Sequence, residues 1–219
     1  MKILAFTDFH GNQAAIDKAR QAVVEKNPDL VIVAGDVVNH DIERAKQLLA
    51  RLAEAGVAVY FVPGNMDGEA LKDWNGGGRV VALHGRCAYA DDVALVGLGG
   101  SPEGAFSTPF ELSEPEAWGR LESAMQGYRG GRLILVSHCP PAATKIDRTV
   151  DGDHIGSRVI REFVEVKHPI LVVSGHVHEA QGIDRVGSTV VVNTGPAKNG
   201  NLAIITLNEK VHVEFEKFT

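Results

Sequence analysis

Five stretches of this chain are runs of four to six apolar residues that lead directly to a polar side chain able to hold a cation. Val31-Ile32-Val33-Ala34 stops at Gly35-Asp36, and Ile3-Leu4-Ala5-Phe6 leads to Asp8 and His10. The run from Val57 to Val62 leads to Asn65, Leu133 to Val136 to His138, and Ile170 to Val173 to His176 and His178. A short apolar run bounded by glycine or polar residues reads as a strand buried on both faces. Such strands belong to the parallel sheets of α/β proteins, whose functional crevice lies beyond the carboxyl ends of the strands. Seven side chains scattered from position 8 to position 178 can therefore converge on one crevice.

The segments between these runs carry the helical period. Asn12 is placed to cap a helix that runs to about Lys26, with Ile16, Ala19, Ala22 and Val23 on one side, and Asn27-Pro28 ends it. Asp41 to Arg44 opens a second helix, which carries Ala45, Leu48, Leu49 and Leu52 and stops at Gly56. Alternation of strand and helix predicts a parallel sheet with right-handed crossovers. After Asn65 the pattern changes. Residues 79–83 and 93–98 follow a glycine turn at 75–78 and are expected as short strands close enough for antiparallel pairing. Residues 99–114, rich in Gly, Pro and Ser, are expected as an irregular loop beside the site. Helices are expected over 115–128 and 156–167, a polar loop over 144–154, and strands near 189–193, 202–207 and 211–216.

The spread of the candidate ligands argues for a single domain over residues 1–219. A net charge of −6 gives no general attraction to nucleic acid, so no stable nucleic-acid binding is expected. No stretch approaches the roughly 20 apolar residues that span a bilayer. The sequence thus reads as cytoplasmic, with no membrane partner. The two cysteines, Cys87 and Cys139, lack the close spacing of a thiolate metal site and are expected to be packing residues.

Four imidazoles, two carboxylates and one amide make a mixed nitrogen and oxygen ligand set, which suits first-row metals such as Mn, Fe, Co, Ni or Zn better than Mg or Ca. Seven ligands exceed the need of one tetrahedral ion and divide into two sites if one carboxylate is shared. Asp36, central in the order of strands, is the expected bridge. Two cations about 3.5–4 Å apart would acidify a bridging water and clamp both oxygens of an in-line phosphoryl displacement.

The ordered set Asp8-Phe9-His10, Gly35-Asp36, Gly64-Asn65-Met66-Asp67, Ser137-His138 and Gly175-His176-Val177-His178 resembles the calcineurin-like metallophosphoesterase family, whose pattern is D-x-H, G-D, G-N-H-D/E, a lone H and G-H-x-H. The resemblance implies an α/β fold, an αββα sandwich of two mixed sheets with the C-terminal strands in the second. It implies that Asp8, His10, Asp36 and His178 hold one metal, and that Asp36, Asn65, His138 and His176 hold the other. The cofactors implied are two divalent transition-metal ions, Mn2+ foremost, with Fe, Zn, Ni or Co as alternatives. The activity implied is hydrolysis of a phosphodiester or small organic phosphate by a metal-bridging hydroxide. The partner is then a small phosphoester, and a homodimer is compatible with the reading. A phosphomonoesterase or nucleotidase, and a non-catalytic scaffold on the same fold, are the competing functions. One residue departs: Met66 stands where the family usually has histidine, which places the chain nearer the phosphodiesterase-like and small archaeal or bacterial members than the protein phosphatases.

Other positions carry paired expectations. Asp67 either accepts a hydrogen bond from a ligand histidine or caps the helix after it. Asn12 either caps or touches phosphate. Asn39 and His40 either line the pocket or are simply the polar residues of a loop. The loops 99–109 and 144–157 are expected to wall a substrate cleft with Ser101 and Arg148, although Lys145 to Arg148 also reads as a solvated charge run. His154 either supplies the leaving-group proton that Met66 cannot or caps the helix at 156. Asn193 to Pro196 is expected as a supporting turn at the edge of the second sheet, and His84, His168 and His212 as structural or solvated residues.

Overall fold

The computed structural model describes residues 1–104 and 107–218. Two large sheets carry the chain. The first orders its strands as Val211–Lys217, Asn201–Leu207, Lys2–Phe6, Leu30–Ala34, Val59–Val62, Val80–Ala82 and Gly76–Gly77. The second orders them as Gly182–Val186, Thr189–Asn193, Leu171–Ser174, Arg132–Ser137, Val93–Leu98 and Cys87–Ala90. In both, the central strands are parallel and antiparallel strands close the edges.

Continuous apolar strands follow from burial on both faces. In Lys2–Phe6, Leu4 and Phe6 turn toward helices α1 (Gln13–Lys26) and α2 (Ile42–Ala53), where they meet Ile16, Leu48 and Leu52. The alternate residues Ile3 and Ala5 turn inward and pack against Ile134, Val136, Leu171 and Val173 of the other sheet. On the far side of that sheet, Val96, Leu135 and Val172 meet Leu121 of α3 (Glu114–Met125) and Phe163 of α4 (Arg158–Lys167). The layers are therefore helix, sheet, sheet, helix. Among the described residues no helix is long and apolar enough to cross a membrane.

Four expectations are corrected. The strand near 79–83 does not pair with 93–98. Val80–Ala82 lies in the first sheet, parallel to Val59–Val62, and the chain then crosses to the second sheet, where Cys87–Ala90 is the antiparallel partner of Val93–Leu98. Of the C-terminal strands, only Thr189–Asn193 joins the second sheet. The other two extend the first, because Ala203 and Ile205 pair with Ala5 and Ile3 and share their inward face. The segment 99–114 is not wholly irregular, since Ser101–Pro102 and Glu111–Leu112 form a short parallel pair; its residues Ala105 and Phe106 lie outside the described residues. Helix α4 starts at Arg158, two residues later than expected, because Ser157 is its cap and accepts from the Ile160 N–H.

Candidate metal centre

Parallel strands deliver their carboxyl ends to one rim, and backbone hydrogen bonds fasten the turns that leave it. The Asp8 and His10 N–H groups donate to the Gly35 and Asp36 carbonyls, and the Gly175 N–H donates to the His138 carbonyl, stitching the turns together. Close approach is possible only because glycine stands at the crossings. A Cβ on Gly64 would overlap the Asp36 carboxylate, and one on Gly175 would strike the Thr7 side chain. The candidate ligand residues bear strain as well. Asp8, His10, Asp36 and His176 all have positive φ, between 47° and 68°, a conformation costing non-glycine residues about 1–3 kcal/mol each.

The structure brings all seven proposed ligands together in two groups. In the first, His178 Nε2 lies 3.2 Å from His10 Nε2 and 3.3 Å from Asp8 Oδ1. In the second, Asn65 Oδ1 lies 2.8 Å from His138 Nε2 and 3.1 Å from His176 Nδ1. Asp36 stands between them, with Oδ2 3.7 Å from His10 Nε2 and Oδ1 3.6 Å from His138 Nε2. Atoms bound to one ion at about 2.1 Å sit about 3.0–3.4 Å apart in octahedral or tetrahedral geometry; three of the four distances lie in that range, and the 2.8 Å between Asn65 Oδ1 and His138 Nε2 falls just below it.

The hydrogen bonds behind the rings fix which atoms face inward. His138 Nδ1 lies 2.8 Å from the Ala34 carbonyl, which can only accept, so the neutral ring carries its proton there and turns the bare Nε2 toward Asn65 Oδ1. His10 Nδ1 likewise donates to Asn39 Oδ1 at 2.9 Å, leaving its Nε2 bare. Lone pair then faces lone pair, and the buried Asp8 Oδ1 has no hydrogen-bond donor. Burial pushes the His176 ring down to about 3. Burial and the charge of Asp8 push Asp36 well above the ordinary carboxylate range. Burial would raise Asp8 too, but the surrounding histidine rings, His178 foremost, outweigh it and hold Asp8 at about 2. A cation among these groups would satisfy the lone pairs and the carboxylates together.

The remaining predicted residues are placed less uniformly. Asn39 touches His10 from the outside, so its amide orients a ligand ring. Asn12 is exposed and caps α1, accepting from the Ala15 N–H at 3.1 Å. Ser101 lines a cleft of about 540 Å³ beside Asn65 and His176. Arg148 does not line that cleft; its Nε donates to the Gly152 carbonyl and closes the 149–153 turn. Nor is Lys145 to Arg148 a solvated run, because Ile146 and Asp147 are buried. His154 does not cap α4. Its Nδ1 lies 2.6 Å from Asp147 Oδ1, and the ring is half exposed. Asn193 lies on the helix-facing side of the second sheet, with Val191, and donates to the carbonyl of Val177 at 2.7 Å.

Asp67 differs from both of its expected roles. No histidine donates to it, and Gly68 occupies the cap position of the short helical turn Glu69–Asp73. Its Oδ2 accepts from the Gly64 N–H at 2.7 Å and its Oδ1 from the Val38 N–H at 2.8 Å, so it ties together the loops that present Asn65 and Asp36. Burial, and then the Asp36 charge, push its carboxyl up to about 7. Two residues were not anticipated. Asp147 gathers the N–H groups of Ala143, Thr144 and Gly156 as well as His154, and Lys198 places its ammonium 3.5 Å from the outer nitrogen of His178. Neither belongs to a motif; an isolated acid or lysine in a polar loop gives no periodic or spacing signal. The positioning role of Asp67 makes a prediction. An amide can accept with one atom only, so Asp67→Asn turns a donor toward Gly64 or Val38 and should cost about 1–3 kcal/mol in urea unfolding at fixed metal concentration. Unchanged stability would contradict the bracing role.

Comparison with known proteins places this geometry. The sequence model described as calcineurin-like phosphoesterase matches residues 1–180. An uncharacterised protein of Methanocaldococcus jannaschii is 32% identical over 205 residues, covering 90% of this chain and 88% of that one. Among solved structures, the TT1561 protein of Thermus thermophilus superposes with a TM-score of 0.78 at 17% identity, over 100% of this chain and 99% of the other. A structure described as a novel archaeal phosphodiesterase gives 0.58 at 16% identity, over 99% and 100%. The fold is thus shared with both, and the family match, which spans every one of the converging strand ends, makes this chain a member of the calcineurin-like phosphoesterase family.

Proposed function

We propose that this protein hydrolyses phosphodiesters at a centre of two divalent transition-metal ions, with Mn2+ the foremost candidate. The observation that carries the reading is the position of Asp36, whose two oxygens each face a different group of inward-turned ligand atoms. Bound there, two ions would supply Lewis acidity toward the phosphoryl oxygens and a nucleophile at neutral pH. Asp8, His10, Asp36 and His178 would hold one ion, and Asp36, Asn65, His138 and His176 the other. The remaining groups act on these ligands. Asn39 and the Ala34 carbonyl hold the His10 and His138 rings in the tautomer that ligates through Nε2. The Met66 N–H donates to Asp36 Oδ1 at 2.8 Å, so the backbone of this position serves the centre while its side chain offers no proton.

A diester suits this site better than a monoester. Two negative charges on a terminal phosphoryl group call for fixed cations around it, and the cleft beside Asn65 and His176 contributes Glu103 and Glu111 rather than arginine or lysine. Bis-p-nitrophenyl phosphate should therefore be turned over faster than p-nitrophenyl phosphate, and only with added Mn2+. Preference for the monoester would favour a phosphomonoesterase or nucleotidase, and no turnover at full metal occupancy would favour a scaffold.

His154 is the proposed source of the leaving-group proton. Asp147 anchors its Nδ1, which leaves Nε2 free on a half-exposed ring, and the next two residues, Ile155 and Gly156, line the cleft. A positioned acid contributes at least about 10²-fold where the leaving group is poor. His154→Ala should slow methyl esters by about that factor and leave p-nitrophenyl esters, whose phenolate departs without a proton, nearly unchanged. Equal slowing of both would remove His154 from proton transfer.

A further inference from the structure

The cleft that opens at Asn65 and His176 does not end in solvent on every side. Ser101, Pro102 and Gly156 form one of its walls, and the same three residues line a second, smaller cavity of about 130 Å³ between α3 and α4. Its apolar lining includes Leu98, Leu112, Ala117, Cys139, Val159 and Ile160. A dry cavity of about 150 Å³ lined by such residues takes up a single benzene ring. The smaller cavity is thus of the right size and chemistry for one ring or a short alkyl chain, and it adjoins the space next to the ligand atoms.

Charge narrows the choice further. Residues 99–113 contain no lysine or arginine, and among the described lining residues Glu103, Glu111 and Glu114 outnumber the single cation, Arg158. A second phosphate or a polynucleotide strand would meet carboxylates there. A neutral apolar group would lose water and gain contact.

We propose that these two cavities form a subsite for an apolar ester substituent, so that the substrates are phosphoesters of uncharged, hydrophobic alcohols carrying one ring or a short alkyl chain. This rests on the phosphoester reading above: the phosphoryl group lies at the ligand cluster, and its substituent passes along Ser101 and Gly156 toward Leu112 and Val159. The narrow wall at Gly156 is part of the design. A Cβ there would press on Asp147 and on the Pro140 carbonyl, so the backbone at this crossing is already at its limit of approach.

Unreactive alkyl(methyl)phosphinates, which carry a single negative charge as a phosphodiester does, separate the subsite from the chemistry. Binding of dimethylphosphinate and of the methyl(propyl)-, methyl(hexyl)- and benzyl(methyl)phosphinates to the Mn2+-loaded protein should be followed by calorimetry. Affinity is expected to rise about fourfold per added methylene, the equivalent of about 0.8 kcal/mol per buried CH2, and to level off once the cavity is full. Replacing the terminal methyl of the hexyl compound by a carboxylate should abolish the gain. Ala117→Phe, which fills the small cavity from α3, should flatten the series while leaving dimethylphosphinate affinity and metal content as in the wild type. The wild-type series needs no variant to fold and is decisive alone. Dimethylphosphinate binding with no dependence on chain length overturns the subsite and leaves the phosphoester reading standing. A carboxylate that binds as well as the methyl also overturns it. Failure of every phosphinate to bind the loaded protein overturns both.

Discussion

Two buried carboxylates and the inward nitrogens of four imidazoles face one another in this structure, an arrangement that a cation between them would relieve, and the rest of the structure is arranged to hold them so. Asp8 and Asp36 are almost fully buried, and the titration of one opposes that of the other. The His10 and His138 rings are each tied from behind by an acceptor, which denies the inner nitrogen a proton. The cost falls on the backbone as well, since four of the ligand residues occupy the left-handed region. Strain of this kind persists only where the surroundings over-determine it. Here the surroundings are five strand ends locked by cross-turn hydrogen bonds, with glycines where no side chain fits.

The sandwich supplies the rigidity that this convergence needs. Each central strand is buried on both faces, one row of side chains feeding the core between the sheets and the alternate row feeding a helical layer. The ligands leave the sheets from their carboxyl ends, where the backbone is still fixed by its neighbours but the side chains are free to turn inward. The walls of the cleft come from segments with much less regular structure, 101–104, 108–111 and 155–156. Rigid strands thus hold the chemistry, and loops decide what reaches it.

What the sequence made legible follows the same division. Asp36 was legible as a carboxylate at a strand end because an apolar run this short, with Gly35 marking where it stops, reads as a buried strand rather than a helix. Helices α1 and α2 were legible from apolar spacing and from the caps Asn12 and Asp41, whose side chains accept the bonds expected of them. Sheet membership was not. Val211 to Lys217 alternates like any edge strand, and nothing local says which of two sheets it will extend; Ala203 and Ile205 decide that by sharing a face with Ile3 and Ala5. Val80–Ala82 and Val93–Leu98 misled for the same reason, since closeness along the chain favours a hairpin and only the parallel seat beside Val59–Val62 overrules it. Asp67 stands in the motif from Gly64 to Asp67, yet its partners, two backbone amides brought near by the fold, were not legible, and Asp147 and Lys198 have no telling spacing in sequence at all.

Two cations sharing Asp36 are the centre of the proposed chemistry, and anomalous diffraction from crystals soaked in Mn2+ tests that most directly. Two anomalous peaks about 3.5–4 Å apart, one within bonding distance of His10 and His178, the other of His138 and His176, and both in contact with Asp36, are the predicted result. A single peak, or two that do not share the Asp36 carboxylate, would contradict it.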